Sequence, residues 1–195
     1  MRDLHVVIVG DVRLDHDVVG SSDRRLPDGG GPVVVEEVRR DRPGGAGLAA
    51  LLAAEDAAVT LVTALAGDPP ADRLRAMLTP VLTLRPAPRA GATVRRTRVL
   101  AAGVPVLRLD SGGWGAPAGD GDDLLAPVLD GAGAVLVADH GGGLAALPGL
   151  RAALARAAAT VPVVWDPHPH GAAPVPGCAL VTPDLAGTRA LAARV

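Results

Sequence analysis

The sequence predicts an α/β protein: a mostly parallel sheet with helices on both faces and a small β lid beside it. Three observations lead there. Five short runs are apolar almost without interruption and rich in β-branched residues: HVVIV (5–9), AVTLVTAL (58–65), AVLVA (134–138), VPVVW (161–165) and ALVT (179–182). Continuous rather than alternating apolarity marks strands covered on both faces. Helix-length segments at 45–56, 70–78, 121–129, 144–159 and 184–193 alternate with or follow these runs, the rhythm of βαβ units. The chain is 49% hydrophobic but only 1% aromatic, with two Trp and no Phe or Tyr. Its core must be made of Val, Leu, Ala and Ile, which suits helices packed on a sheet.

Two regions break the rhythm. PVVVEEV (32–38) reads as a strand with one wet face. ATVRRTRVLAAGVPVLRLD (92–110) reads as two β segments around a turn at Gly103, with Arg95, Arg96 and Arg98 on the first. SGGWGAPAGDGDD (111–123) is a loop by its Gly, Pro and Asp content. There is no internal repeat, and 195 residues are expected to form one domain. In DRPGGAGLAA (41–50), two adjacent glycines stand where a helix begins. A glycine pair weakens a helix, so something must approach the backbone closely there.

Composition removes several classes of function. A net charge of −2, from 19 basic and 21 acidic residues, gives no general attraction for nucleic acid or an anionic membrane. All the basic residues are Arg, so neither a P-loop lysine nor a pyridoxal Schiff base can form. Cys178 is the single cysteine; no internal disulfide is possible and a cytoplasmic location is expected. Its setting, PGCALVTP, reads as a buried small side chain rather than a nucleophile. The first apolar run is too short for a signal peptide, and no stretch reaches transmembrane length unbroken.

In an open parallel sheet, ligands bind beyond the carboxyl ends of the strands. Asp11 and Asp15 follow the first run, Asp139 and His140 the third, Asp166, His168 and His170 the fourth, and Asp184 the fifth. Four strands thus bring carboxylates or imidazoles to one edge. Each has a plainer alternative. Asp11 and Asp15 can cap a turn, the glycines of DHGGG can serve backbone geometry alone, and DPHPH can be a stiff extended loop rather than a metal site. Arg98 and Arg108 flank β runs and can bind phosphate bidentately.

The order of motifs VVIVGDVRLDHDVVG, PVVVEEVRRDRPGGAGLAA, TRVLAAGVPVLRLD, VLVADHGGGL, VVWDPHPHG and LVTPD resembles the ribokinase/PfkB carbohydrate kinases, from residue 5 to about 193. The branch most similar is that of the heptose 7-phosphate kinases. The resemblance implies a ribokinase-like fold and ATP- and Mg²⁺-dependent phosphorylation of a sugar or sugar phosphate. It places Asp15, with Asp11, on sugar hydroxyls, and Gly44 and Gly45 where a sugar lies against a helix N-terminus. Segments 12–38 and 92–110 become the lid, with Arg98 and Asp110 on its sugar side and Arg98 on a phosphate. Asp139 stands near the transfer site, and Asp184 on the nucleotide and Mg²⁺ side.

The chain also departs from the family pattern. Leu48 replaces an Asn, Gly142 the Lys of a DYGKG-like segment, and Gly187 the Glu of NxxE. The family's GAGD segment, with its catalytic Asp, has no counterpart up to Val195. The resemblance therefore implies a fold without its C-terminal third, no catalytic residue in the chain, and a chain inactive by itself. Two alternatives stay open: a non-catalytic sugar-binding or interaction protein, and a metal-dependent hydrolase using Asp139, His140, Asp166 and His168. Expected partners are a sugar or sugar phosphate and a second copy, through the lid or an uncovered sheet edge.

Overall fold

The computed structural model describes residues 4–192. A main sheet is built from β1 (His5–Gly10), β4 (Ala58–Leu65), β7 (Ala134–Ala138), β8 (Val163–Asp166), β9 (Leu180–Val181) and the first part of β5 (Thr83–Ala101). Its order is β5-β4-β1-β7-β8-β9, with every pair parallel. β5 then runs on into a second layer, the lid. There it pairs in parallel with β2 (Val12–Arg25) and antiparallel with β6 (Val104–Pro117), while β3 (Pro32–Gly45) pairs antiparallel with β2. One long strand thus ties the lid to the core.

The main strands are covered on both faces, as their unbroken apolar runs require. On one side Ile8 and Leu61 pack against α1 (Ala46–Ala53) and α2 (Pro69–Leu78) through Ala46, Ala50, Ala71, Leu74 and Leu78. On the other, Val7, Val9, Val137 and Trp165 meet α3 (Asp122–Leu129) and α4 (Pro148–Ala157) through Leu125, Leu150 and Leu154. Asp68 caps α2 through Ala71 N–H and also accepts from the Thr93 N–H at 2.7 Å and hydroxyl at 2.6 Å. That bond pins the lid's root to the core.

Several expected boundaries shift, each for a local reason. The segment 144–159 is a 3₁₀ turn (Leu144–Ala146) followed by α4, because Leu147 is held extended before Pro148, which opens the helix. β8 begins at Val163 rather than 161, since Val161 N–H closes the end of α4 on Ala157. Helix α1 covers only 46–53 of 45–56, and α5 (Leu185–Ala192) lies within 184–193, of which residue 193 is outside the described residues. The loop expected over 111–123 continues as strand to Pro117. The turn at Gly103 is a two-residue hairpin, with Ala102 and Gly103 both at positive φ. The lid also exceeds the expected 12–38 and 92–110, since β3 reaches Gly45 and β6 reaches Pro117. No helix among the described residues is long and apolar enough to cross a membrane.

Candidate functional site

Asp11 follows β1 and leads straight into β2. Its side chain is fully buried, and Arg89 Nη2 donates to Oδ1 at 2.8 Å. The other oxygen accepts from Gly142 N–H at 2.8 Å and His140 N–H at 3.3 Å. Arg89 also donates from Nη1 to the carbonyls of Gly142 (2.6 Å) and Gly115 (2.8 Å). Burial opposes the Arg89 charge and the Asp11 carboxylate favours it. These bonds lock the 139–143 loop and the start of the lid onto β1. They also account for Gly142: a Cβ there would drive into the Asp11 carboxylate. Arg89, the second Arg of the Pro-rich RPAPRAG, carried no sequence signal of this role.

Asp15 is not at a strand end. It lies within β2, 6% exposed, opposite Arg42 on β3 and Arg96 on β5. Arg13 Nε donates to its Oδ1 at 3.0 Å, and Arg42 stands 3.9 Å away. The carboxylate lies flat against Gly44, where an added Cβ would sit 2.6 Å from Oδ2 and 2.9 Å from Oδ1. Gly45 adopts φ +64°, and a Cβ there would meet the Asp11 carbonyl at 2.5 Å and His140 Cδ2 at 2.8 Å. The two glycines therefore admit, first, the protein's own Asp15, Asp11 and His140. Ala46 N–H is taken by the Asp11 carbonyl at 3.1 Å, but no side chain caps α1. Its first turn faces the cradle without a side-chain acceptor.

Beside this cradle is a cleft of about 330 Å³, lined by Arg13, Gly45, Leu48, His140 and Asp166 among others. It opens beyond the carboxyl ends of β1, β7 and β8. Burial, then the Arg13 charge, holds the His140 imidazole below its usual pKa. A larger hollow of about 730 Å³ lies at the opposite ends of the strands, around His5, Ala58 and Thr83, with His5 the only ionisable side chain on its walls. The guanidinium, imidazole and carboxylate of Arg13, His140 and Asp166 gather at the smaller one.

The remaining predicted residues are spread out. Arg98 is engaged within the lid: its Nε and Nη2 each reach Asp17 at 2.8 Å, and Arg42 joins from the other side at 2.8 Å. The Arg98 hydrogen bond holds the Asp17 carboxyl below its usual range. Asp110 is exposed on β6 and paired with Arg108, which lowers its pKa. Asp139 is buried behind the cleft, its two oxygens accepting from Gly141 and Ala172 N–H at 2.8 and 2.9 Å; burial raises its pKa. Asp184 caps α5 through Gly187 N–H at 2.6 Å. Cys178 is half-buried and its thiol is pushed up by burial, as an inert packing residue would be.

No three His, Cys, Asp or Glu side chains converge as a metal set among the described residues, so Asp139, His140, Asp166 and His168 do not form one. His168 instead packs on Gly141 and accepts from His170 N–H at 3.2 Å.

No family model matches the sequence. The chain is 49% identical over 179 residues to the bifunctional protein HldE of Streptomyces coelicolor, covering 91% of this chain and 37% of that protein. It is 35% identical over 188 residues to HldE of Nitrosococcus oceani, covering 93% and 39%. The chain thus spans roughly two fifths of the length of the curated relatives it matches. Among solved structures it matches ribokinase of Arabidopsis thaliana complexed with ribose and ATP, with a TM-score of 0.61, 18% identity, and 98% of this chain and 63% of that one covered. Ribokinase of Thermotoga maritima matches with the same four values. The mostly parallel sheet with helices on both faces agrees in fold with these structures, and with these relatives beside it the chain belongs to the ribokinase/PfkB carbohydrate kinases.

Proposed function

We propose that this chain holds the sugar in an ATP- and Mg²⁺-dependent phosphorylation of a sugar phosphate, a heptose 7-phosphate being the substrate. The observation that carries this reading is the Asp15 carboxylate lying against Gly44 beside the uncapped start of α1. A carboxylate able to accept from two hydroxyls, next to a helix start that no side chain caps, suits a polyol. The 49% identity to a protein named HldE supports the heptose.

The nucleotide half is a different matter. ATP would bring Mg²⁺, which needs carboxylate oxygens turned toward it. Asp184 is occupied as a helix cap and Asp139 is bonded through both oxygens to backbone N–H groups. Gly142 has no ammonium to offer the phosphates, and its place is closed by Asp11. The described residues do not fit a nucleotide–metal complex, so the chain by itself binds the sugar without turning it over. Titration calorimetry with D-glycero-D-manno-heptose 7-phosphate, with and without Mg-ATP, tests this. Sugar binding indifferent to nucleotide supports it; no sugar binding by folded protein removes it.

A further inference from the structure

The lid face that looks onto Asp15 carries an excess of positive charge. Strand register puts Arg13, Asp15 and Asp17 of β2 on one face with Arg40 and Arg42 of β3, Arg96 and Arg98 of β5, and Arg108 and Asp110 of β6. That is six guanidinium groups against three carboxylates. Most are already engaged. Arg98 and Arg42 hold Asp17, Arg13 holds Asp15, and Arg108 holds Asp110. Arg40 is exposed on the rim.

Arg96 is different. It sits in the middle strand, directly opposite Asp15 on one side and Asp110 on the other. Its Nε is buried without a hydrogen-bond acceptor, Asp110 standing 3.7 Å away. Burial, then repulsion from Arg13 and Arg108, pushes against its positive charge, with Asp15 and Asp110 pulling the other way. A guanidinium whose Nε is buried without an acceptor, whose side chain is 30% exposed and which like charges crowd gains from an anion that completes it. A phosphomonoester brings close to two negative charges and three acceptor oxygens, the match for a fork of arginines.

We propose that Arg96, flanked by Arg13 and Arg108, is the phosphate subsite of the lid and selects a phosphorylated sugar over its free counterpart. The proposal rests on Asp15 and Gly44 being the sugar cradle, and it moves the phosphate from Arg98, which Asp17 occupies, to its neighbour two residues earlier. Lid and cradle would then read the two ends of one ligand.

Calorimetry on D-glycero-D-manno-heptose 7-phosphate and on the same heptose without phosphate tests it. In the wild-type chain the phosphate strengthens binding about tenfold to a hundredfold, the range for a charge-assisted contact. Arg96→Gln loses most of that gain and keeps its affinity for the free heptose within about twofold. Arg40→Gln, on the rim of the same face, behaves as wild type. Should Arg96→Gln fail to fold, Arg108→Gln is expected to lose part of the same gain. A phosphate gain that survives in Arg96→Gln, or in Arg108→Gln when that variant stands in for it, overturns the proposal.

If neither heptose binds, the sugar cradle is wrong, and ³¹P line broadening of inorganic phosphate decides the subsite alone. Broadening by the wild type that Arg96→Gln (or Arg108→Gln) abolishes upholds it; no broadening by the wild type sinks it.

Discussion

Arg89 Nη2 donates to Asp11 Oδ1 at 2.8 Å across a separation of 78 residues, with both side chains shut away from solvent. Breaking one half of such a pair leaves the other charge buried without a counterion, a cost of about 3–5 kcal/mol. Asp11→Asn and Arg89→Met are each expected to lose that much stability by urea denaturation. The double variant should lose far less than the sum, because no orphan charge remains. Additive losses would show that the two groups act separately.

The glycine pair gives a prediction that distinguishes its two members. Gly45→Ala forces a Cβ into a left-handed backbone and against the Asp11 carbonyl, so it should destabilise the fold by at least about 1–2 kcal/mol. Gly44→Ala meets the Asp15 side chain first, which can turn away. Its expected signature is loss of sugar binding with a nearly unchanged melting temperature.

His140 makes stability depend on pH. Its folded pKa lies below the ordinary value of 6.5, from burial first and Arg13 second, with Asp166, Asp11 and Asp139 pulling the other way. Below about pH 6.5 the unfolded chain binds a proton that the folded chain refuses. Stability should therefore fall as pH drops from about 6.5 toward the lower folded pKa. The urea midpoint at pH 7.5 and 5.5 measures it, and His140→Gln should flatten that part of the slope.

The lid's far end shows Val104, Leu107 and Leu109 to solvent on β6, a strand with a neighbour on one side among the described residues. Such an edge invites a second copy. We expect light scattering to report a dimer, and Leu109→Glu to weaken it by roughly tenfold or more. A monomer at high concentration would contradict lid-mediated association.

How much of this was legible in the sequence follows from which forces write themselves into it. β4 and β7 were readable to the residue and β1 to within one, because strands buried on both faces must be continuously apolar. β2 was not, because HDVVGSSDRR mixes charge on both faces of a lid strand that faces water and a ligand cleft. The start of β5 hid behind Pro86 and Pro88. Both residues lack an N–H and are tolerated because that stretch pairs with β4 at the edge of the main sheet.

The site divides the same way. Asp15 and the glycines stood out by motif and the structure brings them together, while Asp17 and Arg89 find their partners across strands, a relation that register creates and spacing does not display.

The most direct test of the account is calorimetric titration of the wild-type chain and of Asp15→Ala with D-glycero-D-manno-heptose 7-phosphate. One binding event per chain is expected, unaffected by Mg-ATP, that Asp15→Ala abolishes while the protein still melts cooperatively. Binding that survives Asp15→Ala, or no binding by folded wild-type protein, would contradict it.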